Sequence, residues 1–157
     1  MDKKPKLKRS DLLNKDDIWN AVSDVLLESA YQLENKVAYE AFTVLQYYSE
    51  MESGGHESFL RWNSDHVEGV GITRYLEELI GVLDKIDAHE YVLIERKYGK
   101  EMWDLYVALE NDEIDEKEFY SVIEKADNEY YHLNEKLREL LETYFVKIHT
   151  DLIEIIE

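Results

Sequence analysis

At 157 residues, with 45% apolar and 12% aromatic side chains, the chain is long enough for one domain with a real core and too hydrophobic for the disordered class. A net charge of −18 argues against direct binding of nucleic acid or anionic membrane, and the absence of cysteine excludes disulfides, thiolate nucleophiles and zinc–thiolate sites. No apolar run approaches the ~20 residues of a membrane span, and the basic opening is not followed by the apolar core of a signal peptide, so a cytoplasmic location is expected.

Residues 1–9 hold five of the 18 basic side chains, Lys3, Lys4, Lys6, Lys8 and Arg9, and a single acid, Asp2. With Pro5 and no periodicity they read as a basic N-terminal tail, either solvated or folded back onto the acidic body. Residues 10–157 read as a single all-helical domain with 13 basic and 35 acidic side chains, a net of −22. Ile18, Trp19, Val22, Val25, Leu26 and Ala30 recur at helical spacing behind Asp16 and Asp17, which suit a helix N-terminus. A second helix runs from Asn35 through Val37, Ala38, Ala41, Val44, Leu45 and Tyr48 to an expected stop at Ser53-Gly54-Gly55.

From Tyr47 to Gly71 the helical pattern breaks, and four of the six glycines fall in that stretch. His56 to Ser64 reads as a short aromatic plug helix whose Phe59 and Trp62, three residues apart, are both expected to be buried. Ile72, Tyr75, Leu76, Leu79, Ile80 and Leu83 form the next stripe, with Gly81 as the expected site of a close helix–helix contact. Asp87-Ala88-His89-Glu90 has the form of a capping box, opening a helix with Tyr91, Ile94 and Tyr98 on one face and an expected end at Gly99. After Met102, Trp103, Tyr106, Val107 and Leu109 comes an acidic turn, Asn111 to Glu116, with Asp115 as the N-cap of the last segment. Unbroken, that segment, Glu116 to Glu157 with an apolar face running from Phe119 through Leu152 to Ile155, would be a helix of ~60 Å, so a break is expected between Asn128 and Asn134. No run of alternating β-branched residues bounded by turns occurs. The expected fold is all-α: one compact domain of six to eight helices with a Gly-Gly turn and an aromatic plug in the middle.

Four pieces of sequence occur in a particular order between Glu40 and Lys97: Glu52-Ser53-Gly54-Gly55, His56-Glu57-Ser58-Phe59-Leu60, Asn63-Ser64 and Ile86-Asp87-Ala88. This order resembles a bacterial family of small acidic helical proteins best known for a DNA-mimic member. In that family an acidic-Asn/Ser-Gly-Gly turn precedes aromatic-x-Gln-Phe-Phe and an Asn, and a later helix closes on Ile-Gly-Ala. Here Ser58 stands for Gln, Leu60 for one Phe and Asp87 for Gly, and Asn63 comes one residue late. The resemblance implies the fold, and a non-enzymatic role in which a DNA-like acidic surface binds a DNA-binding regulator. Gly54, Gly55, His56, Phe59, Trp62 and Asn63 are then a structural motif.

Glu129-Tyr130-Tyr131-His132 is the single Glu-x-x-His, whereas a di-iron bundle needs two, so neither a metal site nor another cofactor is expected. His56, His66 and His89 fall at helix ends or turns, and His149 near the edge of an apolar face. Gly-x-Ser-x-Gly, phosphate-loop and dinucleotide fingerprints are absent, and no catalytic residue is assigned; Glu50, His56 and Glu57 are the clustered acid/base candidates of an enzyme reading. Glu110, Asp112, Glu113, Asp115, Glu116 and Glu118 place six acids within nine residues, and Glu124 and Asp127 continue the series. Carboxylates repeating at each ~5.4 Å turn of neighbouring helices approach the charge density of duplex DNA, one per ~1.7 Å of axis. These eight residues are the candidate partner-binding surface. The leading expectation is an acidic binding protein that occupies the basic nucleic-acid-binding face of a regulator or nuclease. An immunity or antitoxin protein for a cognate toxin, and an enzyme of unknown reaction, are the alternatives.

Overall fold

The computed structural model describes residues 4–28 and 34–157. The expectations placed on Asp2, Lys3 and Ala30 lie outside the described residues. Six helices among the described residues build an all-α domain: α1 (Lys15–Leu26), α2 (Lys36–Val70), α3 (Ile72–Lys85), α4 (His89–Glu110), α5 (Glu116–His132) and α6 (Lys136–Leu152). Asn14, Asn35 and Asp115 each accept a backbone N–H of the first turn of α1, α2 and α5, the Asx capping that fixes where these helices start. α3, α4 and α5 follow α2 as an antiparallel series packed neighbour on neighbour, while α6 packs on α1 and α2. Their apolar stripes meet in one core that includes Tyr47, Met51, Phe59, Leu79, Tyr91, Met102, Phe119 and Phe145. No helix among the described residues is long and apolar enough to cross a membrane.

Several local expectations are corrected. The expected interruption at Gly54-Gly55 is present, with Gly55 at φ 71° and both residues non-helical; what differs is that the helical arm leaving this kink runs on to Val70 instead of ending near Ser64 as a short plug. That arm buries His56, Phe59, Leu60, Asn63 and Val67, a spacing that turns Trp62 away from the core and leaves it 70% exposed. Gly81 faces solvent with nothing near it, whereas Gly99, expected to end α4, lies inside it. A Cβ at Gly99 would stand 2.8 Å from Leu76 Cδ2, so this is the glycine that permits α3 and α4 to approach. Asp87 is no cap. It takes a left-handed φ of 66°, and the Ala88 N–H donates to Leu83 O at 2.8 Å, closing α3 in a Schellman turn.

The final segment breaks at Leu133 to Glu135, where Asn134 and Glu135 are left-handed at φ 51° and 60°. Beyond α6, Glu154–Ile156 forms a short strand, β2, paired in parallel with β1 (Lys6–Lys8). The Ile-Glu-Ile-Ile run at 153–156, read as the end of a helical face, is β-branched at alternate positions and buries Ile153 while Glu154 stays in water.

Candidate partner-binding surface

The acidic turn joins α4 to α5. α4 closes with Asp112 at a left-handed φ of 57°, the Glu113 N–H donating to Ala108 O at 2.8 Å and the Asp112 N–H to Leu109 O at 3.1 Å. Asp115 then starts α5 by accepting the Lys117 N–H at 3.0 Å. Glu116 and Glu118 fall in the first turn of α5, where the helix macrodipole favours negative charge. The two helix ends thus force the intervening side chains outward: Glu110, Asp112, Glu113, Asp115, Glu116 and Glu118 are all exposed, as is Glu124 one turn and a half further on. None of these seven carboxylates is ion-paired among the described residues. Lys117 is the single cation within 110–118.

Asp127, grouped with this surface in the sequence, is turned inward. Its Oδ1 accepts both the backbone N–H of His56 at 2.9 Å and the ring Nδ1–H at 2.7 Å. On the other side of the ring, Nε2–H donates to Glu95 Oε2 at 2.7 Å, and Tyr47 Oη–H donates to the same oxygen at 2.7 Å. With a carboxylate at each nitrogen the imidazole carries its second proton. Burial works against that charge, but the field of Glu95 and the hydrogen bonds to Asp127 and Glu95 outweigh it and raise the His56 pKa to about 9. Burial and the adjacent Glu95 charge likewise push the Tyr47 hydroxyl well up, keeping it a donor.

The kink admits this cluster. Gly55 has φ 71°, and a Cβ there would stand 2.5 Å from Asp127 Oδ2, so only glycine lets the α5 carboxylate reach the bend of α2. Three further bonds fix α5 to α2: Tyr131 Oη–H to Met51 O at 2.6 Å, Tyr130 Oη–H to Glu52 Oε2 at 3.3 Å, and Tyr120 Oη–H to Glu57 Oε2 at 2.7 Å. The cluster therefore sets the orientation of the helix that carries the acidic face. Asn63 belongs to the same arm, its Nδ2 donating to Phe59 O at 2.8 Å.

The acid/base candidates of the enzyme reading do not converge. His56 is fully buried with both nitrogens engaged, Glu50 accepts from Ser58 Oγ–H at 3.2 Å, and Glu57 accepts from Tyr120 and Arg61 on the surface. The cavity beside Glu95, lined by Asn63, Tyr75 and Met102, is about 10 Å³, room for one water at most. Glu129 is engaged by the Tyr98 hydroxyl and Lys97, and His132 is exposed.

Sequence reasoning missed Glu95 and Tyr47. The signal was present, because Glu95 occupies a register position of the apolar stripe formed by Tyr91, Ile94, Tyr98 and Met102, where a carboxylate requires a buried partner.

No curated protein and no solved structure matches the chain. The family model described as DMP19-like protein matches residues 32–149, from the start of α2 to near the end of α6. With that much of its length matched, the chain belongs to the DMP19-like protein family.

Proposed function

We propose that this chain is a non-enzymatic acidic binding protein that occupies the basic nucleic-acid-binding face of a regulator or nuclease. The observation that carries the reading is the end formed by α4 and α5, where seven exposed carboxylates make no ion pair among the described residues and Lys117 is the single cation within 110–118. Membership in the DMP19-like family agrees with a DNA-mimic role. Unneutralised charge at this density attracts a basic surface over a Debye length of about 8 Å at physiological salt and speeds association more than it strengthens the bound state. The rigid attachment of α5 to the α2 kink supports recognition by shape as well as by charge.

The test compares two charge-matched variants as affinity baits. Glu110, Glu113, Glu118 and Glu124 become Gln in one; Asp65, Glu68, Glu77 and Glu101, also exposed and without ion pairs among the described residues, become Asn or Gln in the other. Proteins retained by the wild type and by the second variant, lost with the first, and eluted by duplex DNA are the expected result. Equal retention by both variants, or no displacement by duplex DNA, would overturn the reading.

A further inference from the structure

One basic segment lies against the otherwise acidic body, and its mode of attachment defines a docking site. β1 pairs with β2 in the register Lys6 opposite Glu154, Leu7 opposite Ile155 and Lys8 opposite Ile156. The Glu154 N–H donates to Pro5 O at 2.9 Å, Lys4 Nζ donates to Thr150 O at 3.2 Å, and Arg9 Nε donates to Glu157 Oε1 at 3.1 Å. Lys6 Nζ stands 3.9 Å from Glu154. Within β1 it is Leu7 that packs against the core edge, half-buried like Pro5 before it. The segment also borders a cleft of about 400 Å³ against α1, with Asp17, Asp24 and Glu28 on its wall and Ala21 and Val25 among its apolar lining.

The two partners are held very differently. β2 follows directly from Leu152 and Ile153, both buried, so its position is set by the core. β1 is held by a three-residue ladder and by ion pairs whose side chains are 54–84% exposed, contacts of a kind that contribute little. Opening β1 leaves a strand edge of unpaired N–H and C=O groups flanked by carboxylates.

We propose that β2 is a docking strand for a lysine- and arginine-rich extended segment of a partner protein, and that residues 4–9 hold it shut by occupying it themselves. The occupant specifies the chemistry of its replacement: a basic–apolar–basic alternation, with main-chain hydrogen bonds supplying affinity and the flanking carboxylates supplying selectivity. A tethered occupant acts at an effective concentration on the order of mM, so a free segment binds only as well as it outcompetes that tether. This inference is independent of the acidic turn, since both strands lie outside the residues 32–149 matched by the family model.

The experiment is a fluorescence-anisotropy titration of a labelled peptide of residues 3–9, Lys-Lys-Pro-Lys-Leu-Lys-Arg, against three full-length chains: wild type, Leu7→Pro and Leu7→Ser. All three have the same net charge, and circular dichroism checks their helix content. Proline removes an N–H from the ladder and the side chain at the core edge, while serine removes the side chain alone. Both variants are expected to bind the peptide at least about tenfold more tightly than the wild type, the factor by which a closed tether lowers apparent affinity. A second peptide of identical charge, with proline in place of its leucine, is expected to bind the opened chains at least about tenfold more weakly. No gain in either variant overturns the proposal. So do equal affinities for the two peptides, which would show attraction to a polyanion without strand pairing. Concentration-dependent dimers of the wild type that disappear in Leu7→Pro would assign the strand to a second copy of this chain and overturn the partner assignment.

Discussion

The kink of α2 and the turn between α4 and α5 use carboxylates in opposite ways. At the kink Glu95 and Asp127 are drawn into the protein and closed around one imidazolium; at the turn the seven exposed carboxylates between Glu110 and Glu124 stand in water without an ion pair among the described residues. Taking an ion out of water costs several kcal/mol, offset here by close pairing of Glu95 Oε2 with His56 and Tyr47 while Oε1 has no partner among the described residues, so removing the imidazolium leaves the carboxylate still less compensated. An exposed carboxylate is already solvated and contributes little to folding whether present or not. The negative charge of this chain is therefore two properties: a small buried part at the bend between helices, and a large exposed part that stays in water.

The sharpest way to break this comparison is His56→Ala, which leaves Glu95 buried and uncompensated. A loss of about 3–5 kcal/mol in urea unfolding is expected; a loss below about 1 kcal/mol would mean that the cluster does not hold the bend. The next effect is on pH. The folded pKa of His56 is raised to about 9 against 6.5 in the unfolded chain, so its contribution is fully present below pH 6.5 and is lost as pH rises through 9. Unfolding free energy is expected to fall by up to about 3 kcal/mol across that window, and His56→Gln should flatten the profile. A wild-type profile level from pH 6.5 to 9 would contradict the imidazolium assignment.

Gly55→Ala comes third, at about 1–3 kcal/mol, because alanine must take a left-handed φ with its Cβ against the Asp127 carboxylate. Converting Asp127 to Asn in the same chain should recover little, since the φ strain persists. The smallest expected effect on folding belongs to the turn: Glu110, Glu113, Glu118 and Glu124 all changed to Gln should shift unfolding by no more than about 0.5 kcal/mol per residue. The same variant should associate more slowly with a basic partner in stopped-flow mixing and show a flatter salt dependence. A large folding loss there would erase the distinction between the two regions.

The amphipathic periodicity of Ile18–Leu26, Ala38–Tyr48, Tyr75–Leu83 and Phe119–Leu152 made the helices and their number legible, because a core of this size rewards a stripe at 3.6-residue spacing wherever it occurs. The caps at Asn35 and Asp115 and the exposure of the acidic turn are equally local. A helix end satisfies its own N–H groups, and a run of carboxylates too dense to pair remains in water.

Tertiary structure decided what depends on residues far apart in the chain. Gly54-Gly55 interrupts the helix by local rules, but what the kink packs against was decided by Asp127, more than seventy positions away, which reaches into it. Trp62 and Phe59 are indistinguishable by hydrophobicity, and the burial of one was set by the direction in which the second arm of α2 meets α3 and α4. The basic segment was ambiguous between solvated and docked until its register with Glu154–Ile156 was fixed. Local interactions determined which residues form helices; the angles between those helices, and hence which charges are buried and which are displayed, came from contacts that no single stretch of sequence contains.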